Sequence, residues 1–216
     1  MKYIVIIPDG MADYPLEELN GRTPLQAART TNMDYLAQNG FSGLVQTIPS
    51  GMKPGSDIGN MAILGYDPKK YHTGRAPLEA ANQNILLKEN EIAVRCNFVT
   101  IDHNEMSDYS AGHISTKEAD ILIKELNEQL GCDTIKFYTG KSYRHILVIK
   151  DENIEQLIKV QTAAPHDILG KDINHFLPKG KGSELFLEIM NKSKEILQNH
   201  TINQVRIDLK ENPADM

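Results

Sequence analysis

The chain has 216 residues, 40% of them hydrophobic and 24% charged, with no tryptophan and a formal net charge of -6. That length allows one large domain or two small ones around a substantial core. The acidic balance argues against nucleic acid as a partner, because such binders carry a basic footprint, and no apolar run reaches the length of a membrane span.

Tyr3 to Ile7 is a short unbroken apolar run, the pattern of a strand buried on both faces. No charged leader or cleavage site precedes it, so the cytoplasm is the expected location. Asp9 follows directly, at the carboxyl end of the expected strand, where open α/β sheets place their sites. Asp9-Gly10 reads equally well as an ordinary turn. A polar loop over 13–21 leads to a helix expected over about 32–39, with Met33, Leu36 and Ala37 as its apolar stripe and Gly40 as its stop. Residues 43–48 read as a second strand. Ser56 then stands between a Gly/Pro-rich loop and an apolar helical run containing Ile58, Met61, Ala62 and Leu64.

A serine there can act as an N-cap. A phosphate carried by Ser56 would also face the positive end of the helix. Asp9 and Ser56 suit a joint task, a carboxylate and a serine oxygen sharing one divalent metal that makes the hydroxyl nucleophilic without a histidine base. The strand–helix–strand–helix order predicts an α/β domain with parallel strands.

After Asp67-Pro68 the pattern changes. Residues 91–101 alternate, with Ile92, Val94, Cys96 and Phe98 on one face, as in a half-covered strand. Asp102-His-Asn-Glu105 reads as a hairpin turn with His103 on the surface. Ser115-Thr-Lys-Glu118 is a capping box opening a helix to Leu130, with Ala119, Leu122, Ile123, Leu126 and Leu130 as its stripe. Strands over 134–138 and 145–149 and a short helix near 154–160 complete what reads as a small α+β domain. From Gly182 the chain is helical again, with Leu185, Phe186, Ile189, Met190 and Ile196 on one face, and a second helical piece covers about 201–209. Cys96 and Cys132 lack zinc-site spacing and read as reduced, structural thiols. His72, His175 and His200 stand in polar surroundings and read as surface residues. His113, His145 and His166 lie near strand ends or in loops beside small or charged residues, where they serve either backbone bonding or a ligand.

Several blocks together resemble the archaeal-type cofactor-independent phosphoglycerate mutases of the alkaline phosphatase superfamily. They include Ile7-Pro-Asp-Gly-Met-Ala-Asp13, Leu16 to Leu25, Asn32 to Ala37, Pro54-Gly-Ser-Asp57, Leu64-Gly-Tyr-Asp-Pro68, Thr73 to Ala80, Asp108 to Ser115, Ser142-Tyr-Arg-His145 and Pro165-His-Asp-Ile168. The blocks follow family order across nearly the whole chain, and family members are about twice this length. The resemblance implies a parallel-sheet, alkaline-phosphatase-like α/β core, incomplete here, with a small α+β domain inserted. Residues 1–74 and 176–216 would belong to the core and 75–175 to the insertion.

The resemblance further implies interconversion of 3-phosphoglycerate and 2-phosphoglycerate through a phosphoserine on Ser56. Asp9 and Ser56 would be ligands of two divalent ions, manganese or magnesium, with zinc or cobalt possible. The inserted segment would handle the substrate through His113, Arg75, Arg95, Arg144 and His166, since guanidinium forks grip phosphate and carboxylate in bidentate fashion. Arg95 reads equally as a solvated strand residue. Asp108 and Asp167 are open alternatives for proton transfer to the substrate hydroxyls or for orienting histidines. The remaining metal ligands and sheet strands are expected from a C-terminal half of the same enzyme, so the 216 residues alone should bind metal weakly and not turn over. The rival readings are a metallophosphatase, phosphodiesterase or homoserine kinase of the same superfamily, and a non-catalytic module with residues 53–59 as an anion nest.

Overall fold

The structure is a computed structural model describing residues 1–216. The chain divides into two compact units, Met1–His72 and Thr73–Met216. None of its helices is long and apolar enough to cross a membrane.

The first unit is built from helices and turns. A 3-10 turn, Glu17–Leu19, precedes α1 (Pro24–Ala27), whose capping box joins Thr23 and Gln26. Helix α2 spans Thr31–Asn39 and stops at Gly40, close to the expected bounds. Helices α3 (Ser56–Ile63) and α4 (Pro68–Tyr71) follow, the second capped by Asp67, whose carboxylate accepts the Lys69 N–H at 2.9 Å. Neither Tyr3–Ile7 nor residues 43–48 form a strand, so the expected parallel sheet is not made in this unit. A strand needs a neighbour at hydrogen-bonding distance, and nothing in residues 1–72 pairs with either stretch. Tyr3, Ile4 and Ile6 are therefore 86%, 84% and 78% exposed. Only Ile58 and Pro68 are buried in this unit.

The second unit is a mixed α/β body around a small antiparallel sheet. It opens with α5 (Arg75–Asn82) and continues through β1 (Glu91–Asn97), a hairpin of β2 (Thr100–Asp102) and β3 (Glu105–Asp108), and α6 (Thr116–Leu130). β4 (Ile135–Lys141) and β5 (Arg144–Lys150) follow, then α7 (Ile154–Leu157), α8 (Ser183–Gln198) and α9 (Thr201–Asp208). The sheet order is β1-β5-β4, all antiparallel. The β2–β3 turn is as expected, with His103 at φ 46° and Asn104 at φ 66°, the left-handed pair that a two-residue hairpin loop demands. The α6 capping box is also present. The Ser115 hydroxyl accepts the Glu118 N–H and the Glu118 carboxylate accepts the Ser115 N–H, both at 3.2 Å.

Alternation along the strands sorts the two sheet faces. Phe137, Leu147 and Ile149 face Ala119, Leu122, Ile123 and Leu126 of α6 and Phe186, Ile189 and Leu197 of α8. Ile146 and Val148 face Ala76 and Ala80 of α5. Each such buried aliphatic side chain contributes about 1.5–3 kcal/mol by leaving water. Residues 176–216, expected to rejoin the first domain, pack in the second unit instead, because the apolar stripe of α8 finds its cover against α6 and the sheet. The terminal residues 213–216 are held there too, with the Val99 N–H donating to Met216 O at 2.9 Å.

Candidate active site

In the first unit the functional side chains lie at the start of α3. The helix N-cap is Gly55, not Ser56, and Ser56 is the first helical residue, exposed, with no capping bond from its hydroxyl. Asp57 explains the shift. A Cβ on residue 55 would come within 2.5 Å of Asp57 Oδ1, so glycine leaves room for that carboxylate over the first turn. The N–H groups of Asp57 and Ile58 reach the Asp57 carboxylate, and Asp57 Oδ2 meets His72 Nε2 at 2.8 Å. Burial works against the Asp57 anion, but the His72 bond and these N–H groups together hold its pKa below the usual value. His72, read from the sequence as a surface residue, is thus a partner of the residue next to Ser56.

Asp9 is exposed in the turn Pro8–Met11, where Gly10 takes φ 73°. No three His, Cys, Asp or Glu side chains converge anywhere in the chain. Asp9 and Ser56 bring one carboxylate and one hydroxyl, too few donors to hold two divalent ions. The residues present do not make a metal site by themselves.

The expected substrate-handling residues all lie in the second unit. Arg95 on β1 lies on the sheet face covered by α5, and Glu79 of α5 joins it to Arg75. Glu79 Oε1 is 3.1 Å from Arg75 Nε, and Glu79 Oε2 is 3.4 Å from Arg95 Nε. The second contact is close enough for charge pairing but not aligned as a hydrogen bond, and Arg95 Nε and Asn97 Oδ1 are both buried without a hydrogen-bond partner. Unpaired buried polar atoms are uncommon, and these two lie on the same strand face, two residues apart. Asn97 stands opposite Arg144 in the β1–β5 register.

Arg144 then leads into a chain of rings. Its guanidinium lies 5.8 Å from the Tyr143 ring centroid, Tyr143 is 6.4 Å from His113 and 6.0 Å from Tyr109, and Tyr109 is 6.3 Å from His166. Arg75 and Arg95 thus share Glu79, and Arg144, His113 and His166 each lie beside a ring of the Tyr109–Tyr143 pair. Few acids stand beside these side chains, Glu79 between two arginines and Asp167 at 3.5 Å from His166. Such a surface suits an anion.

The loop that carries His113 is tightly braced. Ala111, Gly112 and His113 all have positive φ, at 49°, 64° and 53°, a conformation non-glycine residues adopt only when their surroundings impose it. Asp108 imposes it from one side. Its Oδ1 accepts the Ser110 N–H and hydroxyl, each at 2.7 Å, and its Oδ2 accepts the Gly112 N–H and the Asn212 amide, each at 2.8 Å. Partial burial opposes the Asp108 anion, yet these four donors pull its pKa down to about 2. Of the two roles the sequence left open, proton transfer and orientation, the bonding of Asp108 is that of a loop staple.

Arg206 braces the other side. Its buried guanidinium donates to Ala111 O at 2.9 Å and to Glu118 Oε1 at 2.9 Å, and lies 3.1 Å from Glu211. A side chain at Gly112 would press on it, since an added Cβ would sit 3.0 Å from Arg206 Nη2.

These geometries can be set beside known proteins. The family model of 2,3-bisphosphoglycerate-independent phosphoglycerate mutase matches residues 37–203. The chain belongs to that family. Mutases so named from Methanosarcina barkeri and Methanosarcina mazei are 51% and 48% identical to it over 215 residues, all of this chain and 53% of each relative. The chain spans about half the length of these curated relatives. Among solved structures, the cofactor-independent phosphoglycerate mutase of Thermoplasma acidophilum is similar at a TM-score of 0.58 and 27% identity, over 95% of this chain and 55% of that one. A protein of Pyrococcus horikoshii is similar at a TM-score of 0.68 and 28% identity, over 96% and 47%.

Within this mutase-family chain, sequence reasoning missed Glu79, Tyr109, Tyr143, Arg206 and the Asp57–His72 pair. Tyr109 and Tyr143 lay inside blocks that carried the resemblance, but an isolated tyrosine gives no signal of which rings it will touch. His145, noted as a ligand candidate by its neighbours, is 1% exposed and packs 4.7 Å from the Phe98 ring. Burial pushes its pKa down to about 4, against some help from Asp120. It is a neutral core residue.

Proposed function

We propose that this chain serves a metal-dependent phosphoglycerate mutase that interconverts 3-phosphoglycerate and 2-phosphoglycerate through a phosphoserine on Ser56. What carries the reading is a set of anion-binding side chains, Arg75 and Arg95 on one acid and Arg144, His113 and His166 around the Tyr109–Tyr143 rings, in a chain belonging to the mutase family. A substrate bearing both a phosphate and a carboxylate needs more than one cationic anchor. Glu79, which pairs with two arginines in the free protein, is the group an incoming anion displaces.

In the proposed cycle Ser56 gives up its hydroxyl proton and its Oγ forms a bond to phosphorus as the bond from phosphorus to the glycerate oxygen breaks, and that oxygen takes up a proton in exchange. The glycerate turns in place on its carboxylate anchor. Its other hydroxyl then gives up a proton and bonds to phosphorus as the bond from phosphorus to Ser56 Oγ breaks, and Oγ regains a proton. The arginine and histidine side chains retain the intermediate glycerate between the two steps, which separates a mutase from a phosphatase.

Asp9 and Ser56 are proposed members of a ligand set for two divalent ions, manganese or magnesium, or else zinc or cobalt, with the other ligands outside these residues. The alkaline-phosphatase-like parallel sheet is proposed on the same basis, with Tyr3–Ile7 and residues 43–48 as strands awaiting partners. Their exposed apolar side chains support this reading.

The test is product analysis in the complete enzyme supplied with radiolabelled 3-phosphoglycerate, with mapping of the labelled peptide. The expected result is 2-phosphoglycerate as product and label on Ser56, with Ser56→Ala lowering turnover by several orders of magnitude. Release of inorganic phosphate as the main product would make it a metallophosphatase. Label on another residue, or an active Ser56→Ala variant, would remove Ser56 as the nucleophile.

A further inference from the structure

The first unit has very little holding α3 in place. Its buried side chains are Ile58 and Pro68 alone, so one apolar side chain, Ile58, anchors the start of α3 where four are buried along α6. Yet the residue presented there is Ser56, and a reacting oxygen displaced by about 1 Å loses about a hundredfold in rate. A second, polar contact also bears on where the first turn sits.

That contact is the bond between His72 Nε2 and Asp57 Oδ2 at 2.8 Å, across 15 residues of chain. Both side chains are largely shielded, at 15% and 18% exposure. The path between them is a closed loop of structure. Leu64 and Gly65 end α3, with Gly65 at φ 87°, and Asp67 and Pro68 begin α4. His72 is the C-cap residue of α4, so the end of the second helix returns to the start of the first. A tie at the open end of such a helix pair fixes the angle between the helices with one bond. Neutral imidazole with its proton on Nε2 is enough to make it, donating to the carboxylate.

We propose that His72 is a positioning residue for Ser56, holding Asp57 and with it the first turn of α3 in the geometry that presents the serine oxygen. The assignment rests on Ser56 being the phosphoryl acceptor. It adds a residue outside the anion-binding set and outside the expected ligand set.

The experiment measures Ser56 phosphorylation in a single turnover of the complete enzyme with radiolabelled 3-phosphoglycerate, alongside steady-state kcat and KM. The variants are H72A, H72N, H72Q and D57A, and the double variant D57A/H72A. H72A should slow Ser56 labelling and kcat about tenfold to a hundredfold, with KM changed less than about twofold. Glutamine places an amide N–H near the position of Nε2 and asparagine falls short of it, so H72Q should recover most of the rate and H72N should not. D57A/H72A should be no slower than D57A alone, as for two residues acting through one bond. If H72A does not fold, the contrast between H72Q and H72N carries the same comparison.

Labelling by H72A at the unsubstituted rate, a defect confined to KM, equal rates for H72Q and H72N, or additive losses in the double variant would each overturn the positioning role. Absence of label at Ser56 in the unsubstituted enzyme would instead overturn the nucleophile assignment, and the positioning role would fall with it.

Discussion

Tyr3–Ile7 and Ile146–Ile149 are equally apolar stretches, and they meet opposite fates. The four residues of β5 are 0–6% exposed, whereas Tyr3 to Ile7 are 42–86% exposed. The side chains do not account for this, since both stretches are rich in β-branched residues suited to strands. The difference lies in the backbone. β5 is the middle strand of three and bonds to β1 on one side and β4 on the other. Tyr3–Ile7 has no strand beside it among residues 1–216. An apolar run becomes a strand only where its N–H and C=O groups find partners, and burial follows from the pairing. The second unit supplies its own pairing and closes its own core. The first carries the nucleophile candidate with few anchors.

The sharpest way to break this comparison is one substitution made in both stretches. Ile149→Ala, in the core between β5 and α6, should lower the stability of the chain by about 2–5 kcal/mol. Ile6→Ala should stay within about 0.5 kcal/mol, as at other exposed sites. Denaturant unfolding at low protein concentration measures both. A loss at Ile6 as large as at Ile149 would mean that Tyr3–Ile7 is buried in solution, and its appearance only at high concentration would locate the cover in a second copy.

A second test uses acid. His145 is held neutral by burial in the second unit, with a folded pKa of about 4 against an ordinary 6.5. Its contribution to stability is therefore complete above pH 6.5. As pH falls from 6.5 to 4 the unfolded chain takes a proton that the folded chain refuses, costing on the order of 3 kcal/mol over that window. Unfolding followed against pH should show this loss, and His145→Gln should flatten the profile between those limits. An unchanged slope in the variant would assign the acid sensitivity to other groups.

The smallest effect compares two serines at helix starts. Ser115 caps α6, so Ser115→Ala should cost about 1 kcal/mol. Ser56 makes no capping bond, so Ser56→Ala should leave stability within about 0.5 kcal/mol while abolishing any labelling of α3. A stability loss at Ser56 equal to that at Ser115 would mean that Ser56 caps its helix in solution.

Features governed by neighbours along the chain could be read from the sequence alone. The α6 capping box, the stop of α2 at Gly40 and the turn at His103 and Asn104 depend on residues a few positions apart. So did the two strands 134–138 and 145–149, whose pairing is local across one hairpin. The candidate residues Ser56, Arg75, Arg95, Arg144, His113 and His166 came from motif blocks, which name side chains but not their contacts. Tertiary structure decided the rest. It set Glu79 between two arginines, Arg206 behind the His113 loop over 95 residues of chain, and His72 on Asp57. It also drew residues 176–216 into the second unit. Each of these turns on a partner distant in sequence, and a side chain's charge or apolar surface does not say which partner it will reach. The same reason separates Tyr3–Ile7 from β5, since a strand's partners lie outside its own residues.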